Sequence, residues 1–232
     1  MKVIAVGNQK GGPGKSTLAM SFSVLADQHG EHVVVIDLDK QASLTGWYNL
    51  RKAALDRDEP RVVNGRGRKL QELIIELAGE GYTVCVIDTP GMDYPEATQA
   101  LELAEFCIVP VRGSMFDVQG TTETVDRLKR MGKGYALVLN QGEPKKMSVR
   151  NREALNAMEN LNGGDREVCE TVIAMRVAHS DAASTGAGVT EFEPSGKAAK
   201  EIEASWQEIK KLMGDGAKAS SKKKGKAHVS GA

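Results

Sequence analysis

Cysteine is scarce in this 232-residue chain, and long apolar runs are missing altogether. The three cysteines, Cys85, Cys107 and Cys169, form no Cys-x-x-Cys pair. Cys85 and Cys107 lie within short apolar runs that predict buried strands, and free buried cysteines are typical of a reducing cytosol. No run approaches the roughly 18 apolar residues that a membrane span needs, and the N-terminus lacks the apolar stretch of a signal peptide. These absences predict a cytoplasmic protein without a membrane span.

The net charge is zero, but the charges are unevenly distributed along the chain. The chain has 31 basic and 31 acidic residues, yet its last 16 residues contain five lysines and no acidic residue. Beyond Gly214 the only large apolar side chain is Val229, too little to form a core. We therefore expect one domain over residues 1–213, followed by a disordered basic tail over residues 214–232.

Short runs rich in Val, Ile and Leu alternate with helical segments along the domain. Nearly continuous apolar runs are typical of strands that are covered on both faces. The alternation predicts an α/β fold with a doubly wound, mainly parallel sheet and helices on both faces. Such sheets bind ligands at the carboxyl ends of their strands. The predicted strands are 2–7, 32–37, 82–88, 106–111, 135–140 and 167–174. The predicted helices are 15–29, 43–56, 68–80, 95–104, 117–131, 148–161 and 195–214, with an exposed loop over 57–69.

The segment GNQKGGPGKSTLA (7–19) resembles a phosphate-binding loop that has lost its first glycine. The pattern G-x-x-x-x-G-K-[ST] requires glycine at position 9, where Gln9 stands, followed by a second lysine, Lys10. A strand before the loop and a helix after it predict that backbone N–H groups and the helix N-terminus hold phosphates. We assign Lys15 to the β- and γ-phosphates and the Ser16 hydroxyl to Mg²⁺. The predicted nucleotide-binding residues are Gly11, Gly12, Gly14, Lys15, Ser16 and Thr17.

Two further predicted strands end in acidic residues. Asp88 ends YTVCVID, the Walker B arrangement, in which an aspartate at a strand tip reaches the metal through water. Asp37 and Asp39 end another strand in VVVIDLDKQAS. A carboxylate there can orient the attacking water or hold a metal-bound water, although loop acids without a role would give the same pattern.

The base-recognition motif of GTPases, N-K-x-D, is missing. The segment LVLNQGE offers Asn140 but has Gln141 and Glu143 in place of the lysine and the aspartate. Without the aspartate, the paired donors of guanine lack their usual acceptor. The sequence therefore favours adenine.

Four segments together resemble the ParA/MinD family of deviant Walker ATPases. They are KGGPGKST, DLDKQAS, VIDTPG and VPVRGSMFDVQGTTETV. The resemblance runs from Met1 to about Met213 and is strongest to small ParA-type plasmid partition ATPases. It implies a homodimer that encloses two ATP molecules with Mg²⁺. The family's signature lysine matches Lys10 and reaches the partner's nucleotide, where it acts like an arginine finger. A solvated lysine beside the loop is the alternative for Lys10.

The resemblance also implies roles for residues outside the loop. Asp39 matches the aspartate of water activation and metal contact, and Asp88 matches the Walker B aspartate. Asn140 matches an asparagine that contacts adenine, with a strand-end cap as the alternative. Lys40 and Gly91 stand where the family commonly has proline, which bears on the hydrolysis rate and on coupling to a partner. The predicted catalytic residues are Lys10, Lys15 and Asp39, and the predicted metal site is Ser16, Asp39 and Asp88.

Basic residues near the C-terminus favour DNA over a membrane. The tail has no apolar face for a bilayer, which argues against MinD-like anchoring, and no cysteine closely follows the switch loop as in the iron proteins. In ParA proteins the ATP-bound dimer binds bulk DNA, and we expect the same here, with a solvated charge run as the alternative. The candidate DNA contacts are Arg176, Lys197, Lys200, Lys210, Lys211, Lys222, Lys223 and Lys224, with Lys218 and Lys226 in the same arm.

We thus expect an ATPase whose ATP-bound dimer binds nonspecific DNA of the nucleoid and positions a plasmid or chromosomal cargo. Its hydrolysis would be stimulated by a ParB-like centromere-binding or adaptor protein. Because the loop begins at residue 8, we expect no N-terminal DNA-reading domain. A ParA-like ATPase that positions a protein assembly, such as a conjugation or chemotaxis complex, shares the same site and remains open. Lys10 argues against a third alternative, a metabolic ligase of the dethiobiotin type.

Overall fold

A parallel sheet carries the P-loop and the acidic strand ends. The computed structural model describes residues 1–91, 94–145, 148–161 and 167–227, with side chains described as far as Gly214. The strands in these ranges are β1 (Lys2–Val6), β2 (Val33–Asp37), β3 (Arg61–Asn64), β4 (Val84–Asp88), β5 (Phe106–Val111), β6 (Gly134–Gly142) and β7 (Ile173–Ala174). They form one sheet in the order β3-β2-β4-β1-β5-β6-β7, with every pairing parallel. The predicted doubly wound α/β fold is confirmed.

The helices connect the strands and cover both faces of the sheet. They are α1 (Lys15–Gln28), α2 (Ser43–Leu55), α3 (Leu70–Gly79), α4 (Pro95–Leu103), α5 (Met115–Gln119), α6 (Thr122–Met131), α7 (Val149–Leu161), α8 (Val177–Ser184), α9 (Val189–Phe192) and α10 (Lys197–Ala227). None of the helices within the described ranges combines the length and the hydropathy that a membrane crossing requires.

Alternate residues of each central strand enter opposite cores. In β1, Val3 and Ala5 pack on the side of α3, α4, α6 and α7, whereas Ile4 and Val6 pack on the side of α1 and α10. In the second core Phe22 of α1 stacks on Trp206 of α10, with ring centroids 5.4 Å apart. Burial of both strand faces explains why the strands are continuously apolar rather than alternating.

Local sequence was a poor guide at the edges of the sheet. Segment 57–69, predicted as a loop, contains β3, which pairs with β2 from Val34 to Asp37; this tertiary pairing outweighs the surrounding charged and glycine residues. The predicted strand 167–174 is reduced to β7 and an isolated bridge between Val168 and Leu137. Helices α8 and α9 were not predicted.

Two helix boundaries also differ from the prediction. The helix predicted over 117–131 is divided into α5 and α6 around Gly120 and Thr121. Helix α10 continues to Ala227, past the end predicted at Gly214, because alanine and lysine in this segment favour helix. Residues 228–232 lie outside the described part of the chain, and the disorder expected from residue 214 stays a prediction. The division into a domain and a functional tail stays a prediction.

Candidate nucleotide site

The P-loop leaves β1 at the carboxyl ends of the strands, where the predicted acidic residues also lie. In the strand ladder Asp88 at the end of β4 pairs with Val6 of β1 on one side and with Asp37 of β2 on the other. Gly12 and Gly14 have φ angles of 80° and 86°, a backbone region that side chains other than hydrogen rarely allow. These two glycines turn the chain from β1 into α1.

Lys15, the first residue of α1, is buried with 9% of its surface exposed. Burial lowers the pKa of its ammonium group, whereas the nearby carboxylates of Asp88 and Asp39 raise that pKa and offset part of the cost. The predicted cation of the loop is thus brought together with both predicted carboxylates. A buried cation at a helix N-terminus attracts an anionic ligand such as phosphate.

The environment of the Asp88 carboxyl group is unusual. Asp88 is fully buried, and within the described part of the chain neither carboxylate oxygen has a hydrogen bond of normal geometry. Burial raises its pKa to about 7; the neighbouring Ser16 hydroxyl lowers the pKa, and the charge of Asp37 raises it further. An unpartnered buried carboxyl group is costly unless a cation or a donor satisfies it.

The donors around Asp88 fit Mg²⁺. The Asp88 carboxylate and the Ser16 hydroxyl supply oxygen ligands, and Mg²⁺ is usually held by one or two carboxylates together with phosphate oxygens. Within the described ranges no three His, Cys, Asp or Glu side chains come together to hold a metal on their own. Ser16 and Asp88 would therefore hold Mg²⁺ jointly with a nucleotide, where the ion would neutralise phosphate charge.

The raised pKa of Asp88 predicts a pH-dependent stability effect. In the nucleotide-free protein, ionising Asp88 in its buried site costs stability as pH rises from the unfolded value of 3.8 to the folded value of about 7, by at most roughly 4 kcal/mol. Asp88→Asn removes this cost but also removes the attraction between Asp88 and Lys15, which offsets part of the gain. The melting temperature at pH 8 should therefore rise by about 5 °C. At pH 5 the gain should fall to roughly a third, because only the interval between the unfolded pKa of 3.8 and pH 5 then contributes to the cost. Thermal unfolding at both pH values tests this; an equal gain at pH 5 and pH 8 would contradict it.

The two acids after β2 have different surroundings. The Asp37 carboxylate accepts hydrogen bonds from the backbone N–H and the hydroxyl of Thr45, both at 2.9 Å, and from the backbone N–H of Asp39 at 3.1 Å. Asp37 therefore fixes the start of α2. Asp39 is only half-buried, and its Oδ1 accepts the backbone N–H of Gln41 at 2.8 Å. Of the two, Asp39 is better placed to act on a ligand.

A contact that sequence analysis missed joins the loops after β2 and β4. The Lys40 Nζ donates to the Tyr94 hydroxyl at 2.9 Å and lies 5.4 Å from the centre of the Tyr94 ring. Lys40 is one of the departures from the family pattern, and no local signal connects it to Tyr94. The structure thus gives this departure a partner on the opposite loop.

Asn140 braces the P-loop. Its Nδ2 donates to the carbonyl of Pro13 at 2.7 Å, and the side chain is buried. The adjacent Gln141 donates to the carbonyl of Gly12 at 3.2 Å. A Cβ atom added at Gly14 would overlap the Asn140 amide. This bracing of the P-loop could not be found from sequence, because 127 residues separate Asn140 from Pro13. Contact of Asn140 with adenine stays a prediction.

The first half of the P-loop is fastened to the segment that follows β5. Asn8 is buried and donates to the Pro110 carbonyl at 2.7 Å and to the Thr121 hydroxyl at 3.0 Å. Its Oδ1 accepts the backbone N–H of Lys10 at 3.3 Å, and the backbone N–H of Gln9 donates to the Thr124 hydroxyl. This network holds the backbone of Lys10, while the Lys10 side chain is exposed.

The predicted DNA contacts do not share one environment. Arg176 forms an ion pair with Glu201, with the closest N–O distance 2.6 Å and only 18% of the arginine side chain exposed. Its charge is therefore already engaged within the chain. Four lysines of α10 are exposed: Lys197, Lys200, Lys210 and Lys211. Three others are part of the α10 backbone range, but their side chains lie outside the described residues: Lys222, Lys223 and Lys224. DNA contact by all of these residues stays a prediction.

Large apolar side chains are exposed where the chain leaves β5 and β7. Met115 and Phe116 of α5 have 55% and 80% of their surface exposed, and Met175 and Val177 have 72% and 73%. Met175 lines one groove together with Arg112 and Asp117, next to Gln141 of the P-loop brace. The exposure of these four side chains was not revealed by the sequence pattern, and only Met175 of the four lines this groove.

Comparison with known proteins identifies this arrangement. The family model of the CobQ/CobB/MinD/ParA nucleotide binding domain matches residues 4–189. Maintenance of carboxysome distribution protein A from Gloeobacter kilaueensis is 30% identical over 210 residues, covering 90% of this chain and 92% of the relative. The chromosome-partitioning ATPase Soj from Thermus thermophilus is 29% identical over 156 residues, covering 56% of this chain and 63% of the relative.

A solved structure shows the same fold. The septum site-determining protein MinD from Pyrococcus horikoshii OT3, complexed with Mg-ADP, superposes with a TM-score of 0.69 at 20% identity, over 93% of this chain and 98% of MinD. The expected family is thereby confirmed from the extent of the sequence match, and the fold from the superposition. This chain belongs to the CobQ/CobB/MinD/ParA nucleotide-binding family and is an ATPase of its ParA/MinD group.

Proposed function

We propose that ATP closes a homodimer of this chain and that the dimer positions a large protein assembly on nonspecific DNA. The observation that carries the dimer is the placement of Lys10. It is exposed and held by its backbone at the same edge as the buried Lys15 and Asp88. A cation whose side chain packs on Gly120 and not over the glycines of its own loop can serve the nucleotide of a second subunit.

The exposed apolar groups around Phe116 and Met175 supply the area that such a closure would bury. Met175 lines the groove with Arg112 and Gln141, and Phe116 lies in α5, which follows β5 at the carboxyl end of the sheet. Interfaces gain most of their affinity from a few buried apolar or aromatic side chains. Phe116, with four-fifths of its surface exposed, is the strongest candidate for such an anchor.

The chemistry follows from where each side chain lies. Lys15 and the backbone N–H groups after Gly12 would hold the phosphates, and Ser16 and Asp88 would hold Mg²⁺. Asp39 would orient the water that attacks the γ-phosphorus, and the bond to the leaving ADP oxygen breaks. Lys10 of the second subunit would neutralise the charge that develops on the transferred group. Hydrolysis would then reopen the dimer.

The cargo is inferred from the relatives. The relative of greatest coverage described above is named for the distribution of a protein assembly, the carboxysome, which supports the protein-assembly alternative over the plasmid or chromosome cargo first expected. Partition of DNA through a ParB-like partner is the second candidate, supported by the Soj match over part of the chain. The two candidate functions use the same nucleotide site and differ in the partner protein and the cargo.

Nonspecific DNA is the proposed surface on which the dimer is held. With ATP and Mg²⁺, a fluorescent random-sequence duplex should bind tightly, and the affinity should fall steeply with salt; with ADP it should bind weakly. Replacing Lys218, Lys222, Lys223, Lys224 and Lys226 by glutamine should reduce the log–log salt slope by about 4 to 5 if all five contact phosphates. Fluorescence anisotropy over a salt series measures both, with Lys69→Gln, at an exposed lysine just before α3, as the control. No binding with either nucleotide would refute the DNA surface.

The cargo is tested by what the closed dimer retains. A chain impaired in hydrolysis by Asp39→Ala should retain its partner from extracts of the source cell in the presence of ATP. Recovery of an adaptor of a protein assembly, and scattered or clumped assemblies after gene deletion, would support the proposal. Recovery of a site-specific DNA-binding protein, with plasmid or chromosome loss after deletion, would establish the second candidate instead.

A further inference from the structure

Gly120 has no backbone reason to be glycine. It follows α5 with φ −67° and ψ −8°, an ordinary helical conformation that any residue adopts. A helix would gain stability from alanine at such a position. The reason for a glycine at position 120 therefore has to lie in the atoms that surround it.

The Lys10 side chain occupies the space in which a Cβ atom of residue 120 would lie. A Cβ built at Gly120 would overlap Cε of Lys10 and lie 3.0 Å from its Cδ and Cγ. The aliphatic part of Lys10 thus lies directly on the Gly120 backbone. Long cationic side chains commonly pack their methylene groups in this way and keep the charged end in water.

The surroundings suit this position of Lys10. A groove of about 520 Å³ is lined by Lys10, Gln119, Gly120 and Thr122, together with Glu123, Asp126 and Arg130 of α6. Its carboxylates are offset by Arg130 and by Arg127, which pairs with Glu123 at 3.7 Å, so the packing on Gly120, and not charge, defines this position of Lys10. The hydrogen bonds from Asn8 to Thr121 and from the Gln9 backbone to Thr124 hold the loop against this segment. The break between α5 and α6 is therefore where the P-loop and Lys10 dock.

We propose that Gly120 and this groove form a resting seat for Lys10 in the single subunit. The inference rests on the proposed function, because a lysine that serves the partner's nucleotide has to leave the seat when the dimer closes. The Lys10 side chain then has a seated and a free conformer, and only the free conformer fits the closed dimer. Stabilising the seated conformer therefore opposes closure. The seat would help to keep the ATPase monomeric until nucleotide binding outweighs it.

The seat itself is tested in the nucleotide-free protein, independently of any dimer. Gly120→Ala keeps the backbone geometry and forces only the Lys10 side chain to move, while Gly79→Ala, at an exposed helix position with nothing within 4 Å of the added carbon, is the matched control. After reductive ¹³C-dimethylation, the Lys10 resonance, assigned with Lys10→Arg, should shift in Gly120→Ala toward the position of solvated lysines and stay unchanged in Gly79→Ala. An unchanged Lys10 resonance in Gly120→Ala would overturn the seat.

The effect on closure is tested by sedimentation with a non-hydrolysable ATP analogue and Mg²⁺. Gly120→Ala should tighten dimerisation about fivefold, which corresponds to roughly 1 kcal/mol, and Gly79→Ala should not. In a Lys10→Ala background, Gly120→Ala should have no further effect. The same change in both backgrounds, or weaker dimerisation, would overturn the regulatory role. A shifted resonance without any nucleotide-dependent dimer would instead leave the seat intact and refute the proposed function.

Discussion

Lys10→Ala is expected to leave ATP binding by the single subunit within about twofold of wild type and to lower partner-stimulated hydrolysis about 10³-fold. We expect this difference between the effect on binding and the effect on hydrolysis because of where the two lysines lie. Lys10 is exposed and packs on Gly120, whereas the phosphate loop is built around the buried Lys15. A cation supplied by a second subunit to a transferring phosphoryl group is worth 10³ or more in rate.

Nucleotide titration and phosphate release measured on the same preparation test this separation. Lys69→Ala is a matched control, because Lys69 is also an exposed lysine and its ion pair with Glu72 is at the surface. Lys10→Arg should restore part of the rate, since it keeps the charge. Hydrolysis by Lys10→Ala at the wild-type rate would contradict a role in the partner's site and would revive a single-subunit enzyme.

Lys15→Ala is expected to weaken ATP binding by at least about 10²-fold, the opposite pattern. Lys15 is the buried cation at the start of α1, and the Asp88 and Asp39 carboxylates already favour its charged form. Its ammonium group can therefore meet the phosphates without an additional desolvation cost at the moment of binding. Loss of charge-assisted hydrogen bonds to two phosphates removes roughly 3 kcal/mol, which is about 10² in affinity.

Fluorescence titration with a labelled ATP checks this expectation, and thermal unfolding of the same sample shows whether the variant is folded. Lys69→Ala removes an exposed lysine away from the P-loop, so it should leave the affinity unchanged and serves as the control. An affinity of Lys15→Ala within tenfold of wild type would place the phosphates elsewhere. Taken with Lys10→Ala, the pair distinguishes the lysine that binds from the lysine that serves a second subunit.

Much of the fold and the nucleotide site was accessible from local sequence. Continuous runs of Val and Ile marked the central strands because those strands are covered on both faces. The P-loop could be recognised because its predicted phosphate contacts are backbone groups and side chains of one contiguous segment. Asp88 could be found because it ends a buried strand, and strands end where ligands bind in such sheets.

Other features depend on residues that are far apart in the chain. The strand β3 exists through its pairing with β2 at the sheet edge, and α5 and α6 separate where the P-loop packs against them. The brace from Asn140 to Pro13 and the link from Lys40 to Tyr94 join segments that no sequence pattern relates.

The sequence by itself determined which groups can meet a nucleotide: a glycine-rich turn, two lysines, a hydroxyl and the carboxylates at strand ends. Only the tertiary structure decided the state of those groups. Burial moved the pKa of Asp88 to about 7 and left its oxygens without a hydrogen bond of normal geometry among the described residues. The position of Gly120 set where Lys10 rests. The physical reason is that residue type and local periodicity fix chemistry and secondary structure, whereas desolvation and steric exclusion arise from neighbours that only the folded chain brings together.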